Sequence, residues 1–130
     1  MAEVRTAAGR TLRGRRLLVV EDEYTIAVDL ARTLEDLGAE VVGPVASVRD
    51  ALALMEAAGD RLDGAVLDVN LRDERVYPVA DALKARGVPF VLATGYDARA
   101  IPAAYAGVPR CEKPVDAALL VRVLVEDAAQ

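Results

Sequence analysis

Four polar groups stand where short apolar runs end. Glu21–Asp22–Glu23 follow Leu17–Val20, Asp68 follows Ala65–Leu67, Thr94 follows Phe90–Ala93, and Lys113–Pro114 follow Val108–Glu112. Singly, each has an ordinary reading. Acids ahead of a helix suit its N-terminus, and an Asp, a Thr before Gly95 or a Lys before Pro114 can sit in a turn or a surface loop. Together, two carboxylates, a hydroxyl and an ammonium form a complete set for phosphoryl transfer. Carboxylates about 4 Å apart repel by roughly 4 kcal/mol at an effective dielectric of 20, so Asp22 and Asp68 need a cation between them. Oxygen-only ligands favour Mg²⁺, with Mn²⁺ or Ca²⁺ as substitutes. With charge drawn off by the metal, Asp68 can attack a phosphoryl donor as a nucleophile and become an aspartyl phosphate. Thr94, beside Gly95, and Lys113 then hold the phosphoryl oxygens by hydrogen bond and charge.

These residues meet only if the runs before them are strands whose ends share one edge. Leu17–Val20, Val41–Val45, Ala65–Leu67 and Phe90–Ala93 are short and continuous, as in strands covered on both faces, and a fifth is expected around Val108–Glu112. Between them, Thr25–Leu37 carries Ile26, Leu30, Leu34 and Leu37 at helical spacing, and Ser47–Ala58 carries Val48, Leu52, Met55 and Ala58. Gly38 and Gly59 close these helices, and Ser47 opens the second. A third helix is expected over Val79–Arg86, and a last one over Ala117–Asp127 with Asp116 as its N-cap. This alternation predicts a flavodoxin-like, doubly wound α/β domain: a parallel five-stranded (βα)5 sheet with helices on both faces. In such sheets ligands bind at the carboxyl ends of the strands, where the four polar groups lie.

The 130 residues suit one domain, and at 54% hydrophobic and 28% charged the chain is neither disordered nor membrane-spanning. A net charge of −5 argues against direct DNA binding. The Arg-rich start, residues 1–14, reads as a flexible extension ahead of a domain over 15–130, and its apolar stretch is too short for a signal peptide. The single Cys111 and the lack of histidine fit a reducing cytoplasm and exclude a His-based metal site. Cys111 and Met55 read as core residues.

The segments LLVVEDE, AVLDVNL, LATGY and CEKP resemble the receiver domain of two-component response regulators from Leu17 to the end. The resemblance implies that Asp68 is the phosphoacceptor and that Asp22 and Asp68 ligate Mg²⁺ directly. It also implies that Glu21 acts through water, that the backbone carbonyl of Asn70 completes the protein ligands, and that the bond before Pro114 is cis. PFVLATGYD, Pro89 to Asp97, is similar to the PFxxATGY signature of stand-alone receivers of the FATGUY type, which lack an output domain. That similarity implies a sensor histidine kinase of the HWE or a related group as phosphodonor, and a separate, unknown downstream protein. Leu92 stands where the signature's name has phenylalanine. Arg110, three before Lys113, stands where most receivers carry the aromatic switch residue, so the signal must leave by another route.

The stretch Gly95–Gly107 should hold a fourth helix. Pro102 inside it makes that helix short or mobile, since an interior proline costs about 3 kcal/mol. Ordering of this stretch through Thr94 is one replacement for the missing ring. Tyr96 and Tyr105 read as an exposed partner-binding face. Two other functions are weighed. A phosphatase of the haloacid-dehalogenase kind, which Asp68–Val69–Asn70 weakly resembles, lacks its second acid at Asn70. An unphosphorylated scaffold would have lost site residues, and Asp22, Asp68, Thr94 and Lys113 are all present.

Overall fold

Strand β1, Arg16–Val20, is apolar from Leu17 onward and buried on both faces. The computed structural model, which describes residues 12–95, 101–113 and 116–127, places β1 inside a five-stranded sheet. The other strands are β2 (Glu40–Val45), β3 (Gly64–Asp68), β4 (Phe90–Thr94) and β5 (Arg110–Glu112), in the order β2-β1-β3-β4-β5. Every pairing in this sheet is parallel. Helices α2 (Val48–Ala58) and α3 (Tyr77–Ala85) cover one face, burying Ala51, Met55, Val79 and Leu83. Helices α1 (Tyr24–Asp36) and α4 (Ala117–Val121, continued by π-helical turns over Arg122–Asp127) cover the other, with Leu30, Leu34, Leu120 and Leu124. The fold is the flavodoxin-like doubly wound α/β architecture, and its strand order reverses between β1 and β3.

The helices form largely where the periodicity puts them: Leu30, Leu34 and Leu37, and Met55 and Ala58, turn inward as expected, while Ala27 and Ala51 take the inner places expected of Ile26 and Leu52. In α1 the buried row runs through Ala27, Leu30 and Leu34, and in α2 through Ala51, Met55 and Ala58, leaving Leu52 exposed. Spacings of three and four both fit a 3.6-residue turn, so a large apolar residue competes with its small neighbour for the inner position. Alanine lets the helix axis approach the sheet. Helix α3 starts at Tyr77, with Pro78 inside its first turn instead of before it. The N–H that proline lacks there has no intrahelical partner in any case.

Capping follows the sequence closely. The Ser47 side chain accepts from the Asp50 amide at 3.1 Å, and Asp116 accepts from the Ala118 amide at 3.0 Å. Ser47→Ala is expected to lower stability by about 1 kcal/mol, read as a fall in the urea midpoint at constant slope. A carboxylate also reaches the start of α2: Glu74 accepts from the Val48 amide at 2.9 Å. Glu74 lies in a short antiparallel hairpin, Asn70–Leu71 against Glu74–Arg75, that the sequence reading does not foresee.

The described chain begins at Leu12, inside the stretch 1–14 expected as an extension, and packs from there. Leu12 is fully buried, and its amide bonds the Leu37 carbonyl at 2.9 Å. Gly38, at φ +99°, makes room for this segment, since a Cβ there would lie 2.9 Å from the Arg13 Cα. Residues 1–11 lie outside the described residues. Among the described residues of Gly95–Gly107, the expected fourth helix is represented by one 3-10 turn, Ala103–Tyr105, with Pro102 as its extended N-cap. Residues 96–100 and the expected cis bond before Pro114 lie outside the described residues; the cis bond within them precedes Pro44. No helix among the described residues is long and apolar enough to cross a membrane.

Candidate functional site

The parallel register brings the predicted residues to one edge. Val20 pairs with Leu67, Asp68 with Ala93, and Thr94 with Glu112. The chain therefore leaves β1 at Glu21–Asp22, β3 at Asp68, β4 at Thr94 and β5 at Lys113 along the same rim. Asp22 and Asp68 flank the point of strand reversal. One carboxylate oxygen from each of Glu21, Asp22 and Asp68 lies within 4.8 Å of the other two.

Glu21, Asp68 and Thr94 are the buried polar residues among those described, each less than 5% exposed. Lys113 compensates two of them: its Nζ lies 2.9 Å from Glu21 Oε1 and 3.2 Å from Asp68 Oδ1. Glu21 also accepts from the Glu23 amide at 3.0 Å, and Asp68 accepts from the Asn70 amide at 3.3 Å. The Lys113 amide donates to the Thr94 carbonyl at 2.9 Å, which ties the end of β5 to the end of β4.

Burial first, and then the nearby Glu21 charge, push the Asp68 carboxyl up from its ordinary value to about 7, against the opposing pull of Lys113. For Lys113, burial alone lowers the ammonium's pKa. Its hydrogen bond to Glu21 and the charges of Asp68 and Glu21 outweigh burial, and the net shift is upward. Three carboxylates against one ammonium leave two negative charges, a deficit that a divalent cation with oxygen ligands would close. Hard carboxylate oxygens from Glu21, Asp22 and Asp68, with no sulfur or imidazole among them, fit such a cation.

The Thr94 hydroxyl donates to the Cys111 carbonyl at 3.4 Å, across the β4–β5 pair. Gly95 is exposed, and a Cβ added there would meet nothing within 4 Å, so packing does not demand glycine. Asn70 heads the hairpin beside Asp68, which places its backbone on the same rim. Arg110 opens β5 and is exposed, with its guanidinium donating to the Ala106 carbonyl at 3.5 Å.

Tyr105 corrects the reading of an exposed tyrosine face. It is 7% exposed, its ring stacks on Tyr77 with centroids 4.6 Å apart, and its hydroxyl donates to Asp81. Tyr96 lies outside the described residues. Cys111 is half-buried, less enclosed than a core residue, and its thiol is pushed up chiefly by burial.

No protein-family model matches the chain. The solution structure of SdrG from Sphingomonas melonis Fr1 is similar at 41% identity, covering 85% of this chain and 92% of that one, with a TM-score of 0.74. The BeF3-activated conformation of SdrG from Pseudomonas melonis Fr1 matches at 39% identity over 88% of this chain and 92% of that one, with a TM-score of 0.67. A CheY-like response regulator receiver domain from Methylobacillus flagellatus is 28% identical over 88% of this chain and 98% of its own, at a TM-score of 0.73. The transcriptional regulatory protein PdtaR of Mycobacterium tuberculosis is 31% identical over 86 residues, 65% of this chain. The match spans only 41% of that regulator's length. With the five-stranded parallel sheet and the acidic rim, these likenesses place the chain among the receiver domains of two-component response regulators.

Proposed function

We propose that the chain is a phosphoacceptor switch that takes a phosphoryl group from a histidine kinase on Asp68 and thereby changes its binding to a separate protein. The observation that carries this reading is the buried Asp68 carboxylate, clustered with Glu21 and Asp22 and touched by the Lys113 ammonium. Asp22, Asp68 and the Asn70 backbone carbonyl would hold Mg²⁺, with Glu21 acting through water. The metal, when bound, supplies positive charge that offsets the phosphoryl oxygens.

In the transfer, an Asp68 oxygen forms the new bond to phosphorus as the bond to the donor's imidazole nitrogen breaks. Lys113 is already within reach of the incoming oxygens and needs only to shift from the Asp68 carboxylate toward the phosphoryl group. Thr94 would exchange its bond to Cys111 for one to a phosphoryl oxygen, close to the Gly95 backbone, and so report the state of Asp68 to the segment that follows.

The PFVLATGYD segment and the similarity to SdrG support the finer assignment to stand-alone FATGUY-type receivers served by kinases of the HWE or a related group. The domain would then run over most of the chain and work in the cytoplasm. Its acidic balance supports a protein partner over DNA.

Incubation with acetyl phosphate and Mg²⁺ should add about 80 Da, the mass of one phosphoryl group, to the intact protein. The Asp68→Asn variant should gain nothing. An unmodified wild-type protein under these conditions, or an adduct that survives in Asp68→Asn, would sink the reading.

A further inference from the structure

We propose that Tyr105 latches the crossover between β4 and β5 onto α3, so that the state of the Asp68 site is passed to the α3 face carrying Tyr77, Asp81 and Lys84. This inference rests on the phosphoacceptor reading and adds the route by which its signal leaves.

Three side chains of one helix grip one residue of the crossover. Tyr77, Asp81 and Lys84 fall four and then three residues apart, on a single face of α3. Tyr77 stacks on the Tyr105 ring at an interplanar angle of 18°, Asp81 accepts from its hydroxyl, and the Lys84 ammonium lies 5.5 Å from its ring centroid. The hydrogen bond to Asp81, helped by burial, pushes the phenol up to about 12, so the hydroxyl keeps its proton and its role as donor at any ordinary pH.

The backbone between this grip and the acidic site is tied at each step. The Tyr105 amide bonds the Pro102 carbonyl at 2.9 Å, and the Tyr105 carbonyl accepts from Val108 at 3.1 Å. The Pro109 carbonyl accepts from the Leu92 amide at 2.9 Å, and the Lys113 amide bonds the Thr94 carbonyl at 2.9 Å. A shift of Thr94 or Lys113 therefore travels along β5 to Tyr105 and from there to α3. The ring is supplied by the crossover itself, five positions before Arg110, where the resemblance leads one to expect an aromatic residue.

A tyrosine that merely fills space would lower stability when altered and leave the response of α3 intact. The test uses Tyr105→Phe, which keeps the ring and the stack, and Asp81→Asn, which keeps an acceptor for the hydroxyl. Fluorine NMR reports BeF3⁻ bound at Asp68, and amide exchange over Tyr77–Ala85 is compared in Mg²⁺ with and without BeF3⁻. The wild-type helix is expected to change its exchange about tenfold on activation, the scale of one hydrogen bond to a charged acceptor. Tyr105→Phe should bind BeF3⁻ as the wild type does while losing most of that change, and Asp81→Asn should retain most of it. Bound BeF3⁻ with an equal α3 response in wild type and Tyr105→Phe, or with no α3 response in the wild type, overturns the latch alone. Failure of the wild type to bind BeF3⁻ overturns the acceptor reading and the latch with it.

Discussion

Lys113→Met is expected to destabilise the metal-free protein by roughly 2–4 kcal/mol at pH 8, because it leaves two buried carboxylates without their shared counter-charge. Glu21 and Asp68 side chains are 2% and 5% exposed, so water cannot take over the work of the ammonium. The sign with pH follows from the shifts. The Lys113 pKa is raised above its ordinary 10.5, so its stabilisation is present below that value and is lost as pH rises through the folded-state pKa. In the variant, the damage appears where Asp68 is charged, and it should shrink as the pH falls through about 7 and below, where the folded Asp68 carboxyl takes up its proton. Mg²⁺ should recover part of the loss by binding the folded cluster; at about 100 times its Kd a ligand contributes ~2.7 kcal/mol. Urea denaturation at pH 4.5 and 8, with EDTA or with Mg²⁺, checks each statement, and a penalty independent of pH would contradict the electrostatic account.

Asp68→Asn should act in the opposite direction on stability while abolishing phosphoryl acceptance. Asp68 in the folded protein titrates near 7, against an ordinary 3.8. Between these values the unfolded chain has shed the proton that the folded chain keeps. Stability therefore falls as pH rises through this window and is reduced to the full extent above it. At pH 8 the buried charge costs on the order of 2–4 kcal/mol, which the amide removes. The variant should melt above the wild type in EDTA at pH 8 and nearly with it at pH 4. Mg²⁺ should narrow the gap, since it stabilises the wild-type cluster more than one lacking the Asp68 charge. A lower melting temperature for Asp68→Asn at pH 8 would show that Asp68 is a net stabilising group. A site whose buried Asp68 charge weakens the fold would be relieved by a cation bound beside it.

The core of this site was legible without coordinates because its residues are local events: each stands at the end of an apolar run, and a parallel sheet lines up such ends automatically. Helix caps at Ser47 and Asp116 were legible for the same reason, since a cap bonds an amide two or three residues away. The inner faces of α1 and α2 were only half legible. Ala51 and Leu52 both satisfy the period, and the choice between them depends on how closely the helix approaches a strand that the local pattern does not contain.

By itself the sequence determined the alternation of strands and helices and the single rim on which Asp22, Asp68, Thr94 and Lys113 gather. The tertiary structure alone decided that Leu12 belongs to the body, that Glu74 caps α2 from 26 residues away, and that Tyr105 is held by Asp81 from 24 residues away. These contacts join segments whose meeting is a by-product of how helices pack on the sheet, so no local spacing announces them. An exposed-looking tyrosine in a proline-containing stretch becomes a buried anchor only once α3 is seen to supply a carboxylate and a second ring at the right distance.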